Sequence, residues 1–170
     1  MDATSRRRRI LDAINKSTSP ISAAALAKSL NVSRQVIVGD VALLRAGGHD
    51  IIATARGYRL FTFKETNQYK IVCQHPPEAT RDELYVIVDQ NAEVLNVCVE
   101  HEVYGEITGN LNLSTRKDVD IFMDRVENSE VKLLSELTMG IHLHTISCAD
   151  KTHFDRVYDA LASAGYLLGG

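Results

Sequence analysis

The 170-residue sequence predicts an α+β protein in two domains, and three observations carry that expectation. Helical periodicity dominates up to about residue 46, and beyond residue 68 strand-like and helix-like stretches alternate to the end. Charge is divided along the chain. Residues 1–60 hold ten Lys and Arg against four Asp, and because the whole chain carries −3, the remainder carries −9. The length, finally, accommodates two small domains. The expectation is a basic domain over residues 1–61 and an acidic one over 62–170, with only the first facing a polyanion.

Composition narrows the class further. The apolar share of 45% and charged share of 24% are those of a globular protein rather than a disordered one. No apolar run approaches the ~20 residues that cross a bilayer, so no membrane partner is expected. Arg6–Arg9 is followed only by the amphipathic ILDAIN, which does not make a secretory leader. Cys73, Cys98 and Cys148 are widely spaced and odd in number, which suits reduced core thiols in a cytoplasmic protein better than a disulfide framework.

In the basic half, Ile10, Leu11 and Ile14 give Arg7–Lys16 an apolar stripe, with Arg6–Arg9 expected to remain solvated. Ser17-Thr18-Ser19-Pro20 stops that helix. Ser22 caps a second helix carrying Ala23, Leu26, Ala27 and Leu30, and Asn31-Val32 makes a short turn. Ser33 caps a third, in which Val32 and Ile37 form a hydrophobic staple and Ile37, Val41 and Leu44 a buried stripe. Gly47-Gly48 ends it. Ile51–Thr54 and Tyr58–Phe61 pair as strands about Ala55-Arg56-Gly57. The whole reads as a winged helix-turn-helix that binds double-stranded DNA. Ser33, Arg34, Gln35 and Val38 then stand near the start of the recognition helix, where Arg and Gln match guanine and adenine edges, and Arg56 sits at the wing tip. The alternative is a three-helix bundle whose basic face is only solvated.

The run Val32-Ser33-Arg34-Gln35-Val36-Ile37-Val38, then Asp40-Val41-Ala42-Leu43-Leu44-Arg45-Ala46-Gly47, Ile52-Ala53-Thr54 and Arg56-Gly57-Tyr58, resembles the NiaR family of nicotinate-responsive repressors. Those proteins join a biotin-repressor-type winged helix to a three-histidine (3H) domain. Gly39 departs from the pattern, in which that position is polar, usually Gln, so DNA affinity or base preference is expected to be shifted.

In the acidic half, Phe61–Gln68 reads as a connector, Tyr69–Gln74 as a strand and Thr80–Asn91 as a helix. Glu93–Glu100 and Glu106–Leu113 read as strands, and Arg116–Glu127 as a helix capped by Ser114 or Thr115. Ile141–Ser147 is a strand, and Lys151–Ala164 a helix with Phe154, Val157, Tyr158 and Leu161 inward. The order βαββαβα predicts an open-faced sandwich and resembles the phosphocarrier protein HPr. His142 and His144 alternate onto one strand face, His75 ends the first strand before Pro76-Pro77, and Glu83 lies one turn into the next helix. Three imidazoles and a carboxylate suit a divalent transition metal, although His-x-His on a strand is also often an exposed pair. The resemblance implies more: the family's ligands are a histidine, a glutamate eight residues later and a distant His-x-His, matched here by His75, Glu83, His142 and His144. It also implies one ion of zinc, nickel or iron per chain, nicotinic acid as co-repressor, and target genes of NAD synthesis or niacin uptake. His101 is a candidate effector contact, His49 a loop residue, His153 a surface residue, and the cysteines core rather than ligands.

A homodimer is expected because one winged helix reads only a half-site. The sheet strands Glu93–Glu100 and Glu106–Leu113 are the expected interface. Two other functions are weighed. A DNA-tethered metal-dependent enzyme has a compatible ligand set but no positioned nucleophile or base beyond Glu102 and Glu106. A phosphoryl-transfer regulator through His75 lacks the neighbouring glycine and arginine.

Overall fold

A computed structural model describes residues 1–61 and 67–169. The chain divides into two compact units, Met1–Lys64 and Glu65–Gly170. Most of the expected connector, including the 61/62 boundary, lies against or within residues 62–66, outside the described residues. Asn67 and Gln68, assigned to it from sequence, already belong to the first strand of the second unit.

The first unit runs α1 (Ala3–Lys16), α2 (Ala23–Leu30), α3 (Arg34–Ala46), β1 (Ile51–Thr54) and β2 (Gly57–Leu60). Helix α1 begins four residues before the expected Arg7 because Asp2 caps it, accepting from Ser5 N at 2.9 Å. Ser22 and Ser33 cap α2 and α3, accepting from Ala25 N at 3.0 Å and Val36 N at 3.3 Å. Asn31 turns between those helices in the left-handed region. Ile10, Ile14, Leu26, Leu30, Ile37, Val41, Leu44 and Ile51 form one buried core from all three helices and the wing. Truncating a fully buried isoleucine here costs about 2–5 kcal/mol.

The two wing strands pair from Ile51↔Leu60 to Thr54↔Gly57. Gly57 (φ +129°) permits the hairpin to lie against the segment before α2, since a Cβ there would meet Ile21 backbone at 2.4 Å. Ile21 and Tyr58 exchange two backbone hydrogen bonds, 2.9 and 2.8 Å, which fix the wing to the helices.

One expectation is corrected. Arg6 and Arg7 are not left to solvent: they close on buried Asp40 of α3, at 2.5 and 3.6 Å, and join α1 to α3. A charge run seen alone gave no sign of a partner more than thirty residues away.

The second unit runs β3 (Asn67–Gln74), α4 (Thr80–Asp89), β4 (Glu93–His101), β5 (Gly105–Leu113), α5 (Arg116–Glu127), β6 (Ile141–Cys148) and α6 (Lys151–Ala164), with 3-10 turns at Pro77–Ala79 and Leu134–Thr138. Its four-stranded antiparallel sheet has the order β3-β6-β4-β5. Helices α4 and α6 cover one face, with α5 packed on α4. Alternation along β3 and β6 turns Ile71, Cys73, His142, His144 and Ile146 inward, and Leu84, Ile87 and Val88 of α4 and Val157 and Leu161 of α6 are buried with them. Thr115, not Ser114, caps α5 and forms a capping box with Asp118.

The chain's last turn covers the outer edge of β3. Gln74 N donates to Tyr166 O at 2.8 Å, and Leu168 N to Val72 O at 3.1 Å. Tyr158, expected inward, is 44% exposed. His153, expected at the surface, is buried: its Nδ1 accepts from Ala149 N at 3.0 Å and its Nε2 meets the carbonyl of Gln90, tying α6 to the end of α4. Helical spacing placed it one residue before the apolar stripe and hid that docking role.

Candidate metal centre and nucleic-acid interface

Strand register builds the centre. In the β3–β6 pairing Cys73 lies opposite His142 and Ile71 opposite His144, so β6 presents both imidazoles on the covered face. His75 continues β3 on that face, and Pro76-Pro77 ends the strand and lets α4 begin. Glu83, fully buried one turn into α4, then points down at the sheet. Gly140 (φ +89°) lets the start of β6 approach His75, because a Cβ there would sit 2.4 Å from His75 O.

His75, Glu83, His142 and His144 are thus brought together, all buried. The three Nε2 atoms converge on one carboxylate. His75 Nε2 meets Glu83 Oε2, His142 Nε2 lies 3.1 and 3.0 Å from Oε1 and Oε2, and His144 Nε2 lies 2.7 Å from Oε1. His144 Nε2 is nevertheless off the direction of a hydrogen bond, so this buried nitrogen is left without a hydrogen-bond partner.

Each opposite ring nitrogen faces a backbone carbonyl: His75 Nδ1 that of Pro76 at 2.9 Å, His142 Nδ1 that of Gly140 at 2.7 Å, His144 Nδ1 that of Asn96 at 2.7 Å. A carbonyl only accepts, so every Nδ1 carries the proton and every neutral ring offers a lone pair at Nε2. Three lone pairs aimed at an anion repel it. The arrangement is satisfied either by extra protons, which would bury three imidazoliums against one carboxylate, or by a cation among them. The first leaves a surplus of positive charge in the interior, which is expensive. Carbonyls holding Nδ1–H are also the usual outer support of metal-bound histidine.

Charge perturbation follows the same geometry. Burial alone would raise Glu83, but the charge of His144 and the close approach of the His142 and His75 rings hold it well below the carboxylate range. Burial alone would lower His75 and His144, yet the adjacent Glu83 carboxylate carries both above the ordinary value. Burial and that carboxylate push the Cys73 thiol far up.

Cys73 is a core residue, as expected, and it also borders the cluster: its Sγ, a Glu83 oxygen and a His142 nitrogen all lie within 4.8 Å of one another. The signal for that proximity is parity, since Cys73 on β3 precedes His75, just past the strand's end, by two residues. His101 is not brought to the cluster. Its Nδ1 accepts from Val103 N and Tyr104 N, at 3.1 and 3.2 Å, within its own hairpin. A cleft of about 530 Å³ opens at His75 between Pro76-Pro77, Glu136, Met139 and Gly140.

In the first unit, Arg34 and Gln35 are exposed at the start of α3 beside the Ser33 cap, and Val38 is half-buried one turn on. Gly39 continues that outer face, and a Cβ there would meet nothing within 4 Å. Arg56 is exposed in the two-residue turn of the wing.

Residues 6–59 match the HTH domain and residues 68–170 the 3H domain. The chain is 40% identical over 168 residues to the transcription repressor NadR of Bacillus subtilis, covering 96% of this chain and 93% of that protein. It is 38% identical over 163 residues to the probable transcription repressor NiaR of Thermotoga maritima, with the same coverage. The chain belongs to the NadR/NiaR family of transcription repressors. Membership accounts for the division of charge, since the basic unit is the HTH half and the acidic unit the 3H half. Both relatives are named repressors, so the DNA-tethered enzyme is set aside. Among the described residues, no helix is long and apolar enough to cross a membrane.

Proposed function

We propose that the chain is a metal-containing repressor of genes for NAD biosynthesis or niacin uptake, with nicotinic acid as the co-repressor of its 3H domain. The observation that carries the metal reading is the convergence of three Nδ1-anchored imidazoles on buried Glu83, with His144 Nε2 close to the carboxylate yet making no hydrogen bond. His75, His142, His144 and Glu83 hold one divalent ion of zinc, nickel or iron. Imidazole-rich sets suit these metals, whereas magnesium and calcium prefer oxygen. When bound, the ion supplies a coordination position for the carboxylate or pyridine nitrogen of nicotinic acid.

The residues of this chain do the remaining work. The carbonyls of Pro76, Gly140 and Asn96 hold the rings in one tautomer, so their lone pairs stay aimed without a conformational search. The cleft at His75 gives a ring-sized ligand a way in, and Pro76-Pro77 stiffens its wall. His101 takes no part in this proposal because its ring is engaged in the β4–β5 hairpin.

On the DNA side, Arg34, Gln35 and Val38 of α3 meet base edges, the Ser33 cap exposes the helix start to a phosphate, and Arg56 reaches the backbone or minor groove. A homodimer, acting in the cytoplasm, pairs two such heads on an operator of two half-sites. Nicotinic acid raises operator affinity only so far as it binds the DNA-competent arrangement of the dimer more tightly than the other.

A mobility-shift assay on duplex DNA from upstream of the chain's own gene and its neighbours tests this reading. Nicotinic acid is expected to tighten the complex, and chelator to abolish that effect while leaving weak binding. A complex indifferent to both would refute the effector half.

A further inference from the structure

We propose that the Cys73 thiolate is a direct ligand of the same ion, making the centre a three-imidazole, carboxylate and thiolate site. The proposal rests on the metal reading above and refines it. Position comes first. Cys73 is opposite His142 in the β3–β6 register and two residues before His75, so its side chain lies on the covered face beside His142. It is fully buried, and its backbone is bracketed by β6 on one side and by the bridge to Leu167 on the other, which fixes the face its Cβ takes.

Distance follows. Cys73 Sγ, a Glu83 oxygen and a His142 nitrogen are mutually within 4.8 Å. Donors bound at ~2.0–2.3 Å around one centre are separated by at most about 4.5 Å, so shifts of a few tenths of an ångström bring these three to one ion. The neighbours also matter. A cysteine kept as a small hydrophobe packs among apolar groups, whereas this one abuts a carboxylate and an imidazole. His144 Nε2, buried and without a hydrogen bond, faces the other oxygen of the same carboxylate at 2.7 Å. Cys98 gives the contrast: paired with Leu143, it is on the opposite side of the sheet.

On coordination the Cys73 S–H bond breaks, its proton leaves to solvent, and the sulfur electron pair forms the bond to the ion. No oxidation state changes. A thiolate with three imidazoles favours zinc, cobalt, nickel or copper over magnesium, calcium or manganese.

Zinc K-edge X-ray absorption tests this on the full-length wild-type chain and on Cys98→Ser/Cys148→Ser, in which Cys73 is the single thiol. The expected result in both is one sulfur at ~2.3 Å beside nitrogen and oxygen at ~2.0–2.2 Å. Cys73→Ser is expected to lose the sulfur shell and to bind zinc at least ~10–100-fold more weakly, the scale seen for lost supporting contacts. Bound zinc with nitrogen and oxygen alone in the wild type overturns the thiolate ligand and leaves the histidine–glutamate site standing. A wild-type chain that binds no zinc overturns both.

Discussion

Gly39→Ala is a perturbation whose sign the structure sets in advance. Gly39 lies inside α3 with a helical backbone, is exposed, and has open space where a Cβ would go. Glycine in a helix interior is less favourable than alanine by ~0.8–1 kcal/mol, largely through the freedom it keeps in the unfolded chain. With no steric penalty to offset that gain, Gly39→Ala stabilises the head by about 1 kcal/mol, and in a domain of this size that raises its Tm by ~4–8 °C. Differential scanning calorimetry of the full chain measures it. The head transition is identified as the one that Ile37→Ala lowers, since Ile37 is fully buried in the head core. Gly39→Gln carries the argument to function: it restores the polar side chain usual in the family on the DNA-facing side, and operator affinity rises with the salt dependence unchanged because no charge is added. A lowered Tm in Gly39→Ala would refute the steric argument. A higher Tm with operator binding abolished would refute the functional one, showing that α3 needs the bare backbone to approach DNA.

Arg34→Ala is expected to weaken operator binding about 10–100-fold with relaxed base preference and an unchanged Tm, checked by mobility shift across operator variants. Arg56→Ala instead lowers the salt slope by about one unit, read from titrations at several salt concentrations. The pH dependence of the 3H unit reverses with metal. In the metal-free protein, raised His75 and His144 contribute stability fully present below the ordinary value of 6.5 and lost as pH rises through their folded values. The metal-loaded protein requires neutral rings, so its advantage over the metal-free form shrinks as pH falls; thermal scans from pH 5 to 8 with zinc or chelator test the opposite signs. Gly140→Ala places a Cβ against His75 O at positive φ and costs ~1–3 kcal/mol in the 3H unit, with reduced metal content in elemental analysis.

Much of this molecule was legible because local signals and the fold agree. Serines at positions 22 and 33 cap as written, β1 and β2 pair as a hairpin although Gly57 joins the strand and leaves a two-residue turn, and helix α5 runs over the expected residues. The gathering of His75, Glu83, His142 and His144 was legible for two separate reasons. Period-two alternation put His142 and His144 on one face, and family resemblance joined them to His75 and Glu83, which no spacing argument brings across the sheet. What escaped was tertiary. Arg6 and Arg7 find Asp40 only when α1 crosses α3, and His153 is buried only because α6 meets the carbonyl at the end of α4. The carbonyls that hold the rings were equally hidden. Asn96 offers its carbonyl to His144 where the β4 pairing shifts register, and neither fact is written in residue type.

Metal stoichiometry is the most direct test of the account. The purified full-length chain, stripped with chelator and dialysed against zinc, is predicted to retain one equivalent per chain, and His142→Ala/His144→Ala to retain none while α1–α3 stay folded. A wild-type chain that keeps no zinc, nickel, cobalt or iron, and whose Tm is unmoved by chelator, would contradict the claim that buried Glu83 and its three imidazoles enclose a cation.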